Sequence, residues 1–254
     1  MKVSLWLVFL IALAFLGGSV FVALRNRGIV KDDSADDIVD SVSLSSEMKQ
    51  KNSEKIKLPD PRTSSEISVE EAIAKRRSRR EFTSQPLSAG QISQILWAVQ
   101  GITGESSGHR AAPSAGALYP LEVYMVAKSG GVSGYQAGVY HYLPLEHSVE
   151  KIGQKDLARD LAAAALGQSF IADAPISLVI TAKYSRVTNK YGERGRQYVH
   201  MEAGHAAQNV YLQVETLGLG TVVVGAFDGE RIVELLQIPA EHEPLYVMPI
   251  GNLK

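Results

Sequence analysis

From Val3 to Leu24, 22 consecutive residues carry no charge. No other stretch restricts the chain as strongly, because as a helix rising ~1.5 Å per residue it extends ~33 Å, the hydrocarbon thickness of a bilayer. Residues 1–27 are therefore expected to form a single-pass membrane anchor. Lys2 ahead of the run and Ala12-Leu13-Ala14 within it also fit a cleaved signal peptide, but cutting there would leave apolar Phe15–Leu24 as the new terminus. Arg25, Arg27 and Lys31 after the run outnumber Lys2 and the amino group before it, which places the rest of the chain on the cytoplasmic side.

Between Lys31 and Asp60 there are eight acids and five bases among several serines, with no apolar periodicity. Residues 28–64 are accordingly expected to be a disordered polar tether, closed by Leu58-Pro59-Asp60-Pro61, with the folded part at 65–254. Across all 254 residues the chain is 45% hydrophobic and 21% charged, with a formal net charge of −1. That composition excludes disorder as the overall class and gives no general attraction for nucleic acid, which is not an expected partner. Zero cysteines remove disulfides, zinc–thiolate sites, iron–sulfur clusters and thiol catalysis. Its chemistry must come from oxygen and nitrogen groups or from a borrowed cofactor.

Two helix starts are legible. Ser68-Val69-Glu70-Glu71 resembles an N-cap with an acid three residues on, and Ser88-Ala-Gly-Gln91 precedes Ile92, Ile95, Leu96 and Val99 at helical spacing. Five segments rich in β-branched and aromatic residues predict strands: Leu121–Ala127, Val139–Leu143, Ile176–Tyr184, Thr221–Phe227 and Leu245–Ile250. Met201, Gly204, Gln208, Tyr211, Val214 and Leu217 recur every three or four residues, predicting a long helix from about Tyr198 that stops at Gly218. This alternation implies a layered mixed fold.

Four motifs are candidates for chemistry. In Lys75-Arg76-Arg77-Ser78-Arg79-Arg80 five of six residues are basic, which reads as a solvated face or as a phosphate clamp of guanidinium forks with a serine hydroxyl. Arg110–Pro120 is a run of small residues, either a packed loop or a place where a ligand approaches the backbone. It is no nucleophile elbow, lacking the glycine two residues before Ser114. Glu202 and His205 have Glu-x-x-His spacing without a second such pair, and His200 and His205 are five apart, so no metal site is expected there. Gly218–Asp228 carries glycines ahead of a strand rather than between strand and helix, so it is no dinucleotide fingerprint.

Six motifs in order, RRSRREF at 76–82, RAAPSAGALYPLEVY at 110–124, GVYHY at 138–142, KYGERGRQYVHMEAGHAAQN at 190–209, LGLGTVVVGAFD at 217–228 and EPLYVMPIG at 243–251, resemble the nitroreductase superfamily of flavin enzymes. Within it they resemble the SagB-type, azoline-oxidase-like dehydrogenases. The resemblance implies an α+β fold with a central mixed β-sheet flanked by helices, and an obligate homodimer holding two FMN molecules at its interface. It places Arg76, Arg77, Ser78 and Arg80 on the FMN phosphate and ribityl chain. It sets Pro113, Ser114, Ala115 and Gly116 beside the flavin from the other subunit, and Val224, Gly225 and Ala226 along the isoalloxazine. Gly225 stands where the nitroaromatic-reducing branch usually has an acid, and Ala115-Gly116-Ala117 where that branch has an asparagine, which favours the SagB-type branch. The family's basic residues after the last Pro-x-Gly are reduced here to Asn252 and Lys254.

Lys190 and Tyr191 match a substrate-side lysine–tyrosine pair of that branch, and an amine or phenol there would remove a proton while hydride leaves the neighbouring carbon. Their polar surroundings, TNKYGERGR, read equally as an ordinary surface loop. The implied activity is hydride transfer between a small-molecule or peptide substrate and FMN. Two alternatives compete: an NAD(P)H-dependent nitro or quinone reductase, and a non-catalytic flavin-binding module.

Overall fold

In a computed structural model, residues 54–104 and 107–254 are described. The apolar run at 3–24 expected to cross a membrane lies outside them; among the described residues no helix is long and apolar enough to do so.

A seven-stranded sheet organises this part of the chain. Its strands are β1 (Lys55–Lys57), β4 (Leu121–Ala127), β5 (Gly138–Leu143), β6 (Ser148–Gly153), β7 (Ile176–Ala182), β8 (Leu219–Thr221) and β9 (Glu243–Asn252), in the order β1-β6-β5-β4-β7-β9-β8. A separate hairpin pairs β2 (Ile102–Gly104) with β3 (His109–Arg110). The helices are α1 (Val69–Lys75), α2 (Ala89–Gln100), α3 (Ala158–Ala164), α4 (Phe170–Asp173), α5 (Ser185–Tyr191), α6 (Arg194–Thr216) and α7 (Gly229–Leu236). Strand β7 is buried at every position, so its unbroken run ISLVITA lies at the sheet centre with both faces covered.

Period-2 alternation divides the core in two. Val123 and Met125 of β4 and Leu178 and Ile180 of β7 face one layer, packed with Ile92, Ile95 and Leu96 of α2 and Ala203, Ala206 and Val210 of α6. Tyr124 and Val126 of β4 and Val179 of β7 face the other, with Leu161 of α3 and Ile232 and Leu236 of α7. Helices thus cover both faces of the sheet. The N-caps are those expected: the Ser88 hydroxyl accepts from Gln91 N–H at 3.2 Å while Gln91 Oε1 accepts from Ser88 N–H at 2.9 Å, and Ser68 Oγ accepts from Glu71 N–H at 3.1 Å.

Four expectations are corrected. The named ladders are all antiparallel rather than mixed, and parallel register is confined to isolated bridges such as Ser78 with Thr221. The strand expected over Thr221–Phe227 leaves the ladder after Thr221, because the Val223 N–H turns to the Tyr211 hydroxyl and Val224 alone bridges back to Val247. Helix α6 begins at Arg194, four residues before the expected Tyr198, and ends at Thr216, just ahead of Gly218.

The last correction concerns the boundary at 65. Strand β1 falls within the expected tether, pairing with β6, and Leu58 beside it is 2% exposed within the core. Leu58 N–H donates to His147 O at 3.0 Å, and Arg62 N–H to Gln94 Oε1 at 2.8 Å. Few apolar residues are needed to hold an edge strand whose backbone bonds are satisfied, which is why composition hid it. Replacing Leu58 by Ala should therefore cost about 2–5 kcal/mol, as core truncations do. Urea unfolding of the two proteins measures it, and an unchanged midpoint would return residues 54–58 to the tether.

Candidate active site

The basic run begins where α1 ends. Arg76 caps the helix, and the chain then runs extended beside β8, with Arg79 N–H donating to Thr221 O at 2.8 Å. Tyr211 of α6 anchors this arrangement. Its hydroxyl accepts from Val223 N–H at 2.9 Å and shares a hydrogen bond with Ser78 Oγ at 2.9 Å. The Arg76 guanidinium sits 5.2 Å from the Tyr211 ring centre, and that of Arg80 sits 5.7 Å from Phe170. Arg77 turns back to the Ala74 and Arg76 carbonyls, away from the others. Among the described residues none of Arg76, Arg77, Arg79 and Arg80 is paired with a carboxylate.

Exposed Gly225 and Ala226 follow directly on this cluster. The Gly225 N–H makes no hydrogen bond among the described residues, and nothing stands within 4 Å of where its side chain would begin. Unpaired guanidiniums beside an open backbone form a donor set suited to a phosphorylated ligand with a flat polar ring.

The other expected residues gather elsewhere. Pro113, Ser114, Ala115 and Gly116 lead into a tight turn in which Gly116, Ala117 and Tyr119 all have positive φ, at 63°, 54° and 46°. For Ala117 and Tyr119 this backbone is strained, and such strain persists only where the surroundings fix it. Here Ser114 Oγ accepts from Tyr119 N–H at 2.9 Å, Arg186 Nη1 donates to Tyr119 O at 2.9 Å, and Lys183 N–H donates to Pro120 O at 2.9 Å. Lys190 and Tyr191 lie against this turn on α5, a helix where one of the two readings had a surface loop. A side chain on Gly116 would begin 2.7 Å from Tyr191 Oη and 3.1 Å from Lys190 Nζ. Only glycine admits the pair so close to the backbone.

Beneath the turn lies Glu202 of α6, 2% exposed. Burial pushes its carboxyl up to about 7, with Ser114, Gln100 and the Arg110 charge opposing that shift without cancelling it. Among the described residues Glu202 Oε1 and Gln100 Nε2 are buried without a partner. Glu122 shows the opposite balance: burial would raise it, but the His141 ring 2.7 Å away and the Arg186 guanidinium hold it at about 2.

Glu202 and Tyr211 are nine residues apart, two and a half helical turns, so they project from opposite sides of α6, about 13 Å apart along its axis. The phosphate-suited cluster and the strained turn therefore flank one helix. The face between them, carrying Gln197, Met201, Gly204, His205 and Gln208, is exposed. Tyr211 had read only as one position of a periodic helix and Glu202 only as part of a Glu-x-x-His spacing without a second pair; a hydroxyl and a carboxyl at positions the helix buries were the available signal.

The Glu202 shift predicts a pH dependence. Between about 4.5 and about 7 the folded carboxyl keeps a proton that the unfolded chain has released, so this contribution is full below that window and is lost as pH rises through it. The size is of order 3 kcal/mol. Glu202→Gln should remove this decline in denaturation free energy measured from pH 4 to 8; a variant declining as steeply as the parent would contradict it.

A predicted nitroreductase of Methanocaldococcus jannaschii is 50% identical over 197 residues, covering 78% of this chain and 96% of that protein. The microcin B17-processing protein McbC of Escherichia coli is 30% identical over 174 residues, 66% of this chain and 63% of its own length. An NAD(P)H-dependent FMN reductase of Bacillus subtilis is 26% identical over 200 residues, 72% of this chain and 65% of its own length. Among solved structures, a predicted nitroreductase from Ralstonia eutropha superposes with a TM-score of 0.69 at 31% identity, covering 79% of this chain and 90% of that one. The nitroreductase family pattern matches residues 73–252, and the chain accordingly belongs to the nitroreductase family, as an oxidoreductase among flavin-dependent relatives.

Proposed function

We propose that the protein is an FMN-dependent dehydrogenase of the SagB type that moves hydride between a small-molecule or peptide substrate and the flavin. The contact of Lys190 and Tyr191 with the Gly116 backbone carries this reading. The donor set fits FMN: Arg76, Ser78 and Arg80 would hold its phosphate and ribityl chain, and the segment Val224, Gly225 and Ala226, with the open Gly225 N–H at its centre, would lie along its ring. A bound flavin supplies the two-electron chemistry that this chain lacks. The chain's own residues position the substrate over the turn at Pro113–Gly116, and Lys190 Nζ or Tyr191 Oη takes the proton released beside the carbon that loses hydride.

A homodimer completes this reading. Within one chain the arginine cluster and the Gly116 turn stand on opposite sides of α6. The exposed face between them, with small Gly204 open and Met201 53% exposed, suits packing against the same helix of a second copy. Packing of that kind brings the turn of one copy toward the arginines of the other. The apolar run at 3–24 is proposed, on sequence grounds alone, as a single-pass anchor leaving this domain on the cytoplasmic side.

Likeness to the B. subtilis FMN reductase favours a second reading, an NAD(P)H-driven reductase of nitro or quinone compounds. Anaerobic stopped-flow reduction of the FMN-loaded full chain separates the two. With a thiazoline-bearing peptide as donor, Lys190→Ala and Tyr191→Phe should slow flavin bleaching by about 10²–10⁴-fold and leave NAD(P)H-driven bleaching unaltered. Bleaching by NAD(P)H alone would establish the reductase, and equal peptide-driven rates in parent and variants would overturn the dehydrogenase assignment.

A further inference from the structure

Behind the strained turn is a cavity of about 320 Å³ between Tyr119, the end of β5 and α5. Arg110 is the unusual group in its wall. It is half-buried, and burial weakens its hold on its proton. One donor is engaged, Nη1 to Gln100 Oε1 at 3.0 Å, and the guanidinium lies 4.5 Å from the centre of the Tyr119 ring. Among the described residues Arg110 has no carboxylate partner. A half-buried guanidinium without an anion is costly to maintain, and stacking on an aromatic ring leaves its planar fork aimed rather than free.

Glu202 acts on Arg110 without pairing with it, its carboxyl pushed up to about 7 by burial, and the other carboxylates nearby are committed. Glu122 is bound by Arg186 and His141. Glu146 at the rim receives both hydrogen bonds from Lys55 Nζ, at 2.9 and 3.1 Å, while Lys57 Nζ donates to its backbone carbonyl at 2.6 Å. Two cations, Arg110 and Arg186, and two carboxylates, Glu122 and Glu146, line the cavity itself, so with both carboxylates bound by other cations Arg110 is the charge left to a ligand. The rest of the wall is Leu118, Leu143, Pro144 and Tyr142, whose hydroxyl is bonded to His147 Nδ1 at 2.9 Å, with Leu145 83% exposed at the lip.

We propose that this cavity is a carboxylate-binding subsite, with the carboxylate on the Arg110 fork and an apolar body against Leu118, Leu143 and Leu145. Its ligand class is a small aromatic or aliphatic carboxylate, free or as the end of a peptide. The site adjoins the proposed reaction centre. Arg186 in its wall and Lys190 are four residues apart on α5, hence on one face, and Tyr119 is three residues beyond Gly116. As a statement about the substrate the proposal rests on the dehydrogenase reading, but binding of the anion does not.

The test is calorimetric titration of benzoate into the full chain saturated with FMN, which occupies the Arg76–Arg80 cluster. One saturable site per chain is expected, with affinity at least about 10-fold weaker in Arg110→Gln, intermediate in Arg110→Lys, which keeps the charge and loses the fork, and unchanged in Arg76→Ala. Leu145→Asp, at an exposed position that tolerates substitution, should weaken binding several-fold by setting a negative charge at the lip, so the proposal stays testable if Arg110→Gln fails to fold. Absence of saturable binding up to about 10 mM would overturn it. So would equal affinity in parent and Leu145→Asp, equal affinity in parent and a folded Arg110→Gln, or a loss in Arg76→Ala matching that in Arg110→Gln. Failure of the dehydrogenase reading would instead appear in flavin reduction, with benzoate affinity untouched.

Discussion

The hydroxyl of Tyr211 joins three pieces of chain distant in sequence. Through it, helix α6, the basic segment at Ser78 and the chain leaving β8 at Val223 are held within hydrogen-bonding reach. The paired Val224–Val247 backbone bonds and the Gln168 Nε2 bond to Ala226 O then fix the exposed backbone at Gly225 and Ala226, and the phenol ties that backbone to the basic segment. Helical periodicity then dictates what it cannot do: from the opposite side of α6 it has no access to the turn above Glu202. The division of the site into two halves is a property of the helix.

The second half stores strain. Ala117 and Tyr119 are held with positive φ by bonds from Ser114, Arg186 and Lys183, and the same turn sits over the buried carboxyl of Glu202. A rigid turn with glycine at its tip lets an amine and a phenol reach the backbone, an arrangement that looser packing would not keep. Arg186 serves both sides of this design, since it clamps Tyr119 O and neutralises Glu122.

Much of the fold was legible in the sequence where local signals and packing agree. The Ser88 cap, the apolar spacing of α2 and the runs forming β4, β7 and β9 each point to the element found. Expectation failed where backbone bonding rather than side-chain pattern decides. Strand β6 was missed because Glu150 and Lys151 stand side by side at the centre of SVEKIG and break any period-2 pattern, and β1 because three residues with two lysines carry no strand signature. The chain after Thr221 looks like a strand, yet it bends to reach Tyr211. In the site, the arginines and the small-residue loop were visible as composition, and Lys190 and Tyr191 only through family resemblance. Their contact with Gly116, the roles of Tyr211 and Glu202, and the unpaired state of Arg110 are three-dimensional facts that spacing along the chain does not encode.

Whether two copies complete one another's sites is decided by subunit mixing. Arg76→Ala/Arg80→Ala removes one half of the site and Lys190→Ala the other, and each variant alone should be inactive in substrate-driven flavin reduction. After dissociation and random reassociation, the mixed dimers carry one doubly altered site and one intact site, so activity should recover to about a quarter of the parent level. A mixture as inactive as its two components would place both halves of the site within a single chain and contradict the account.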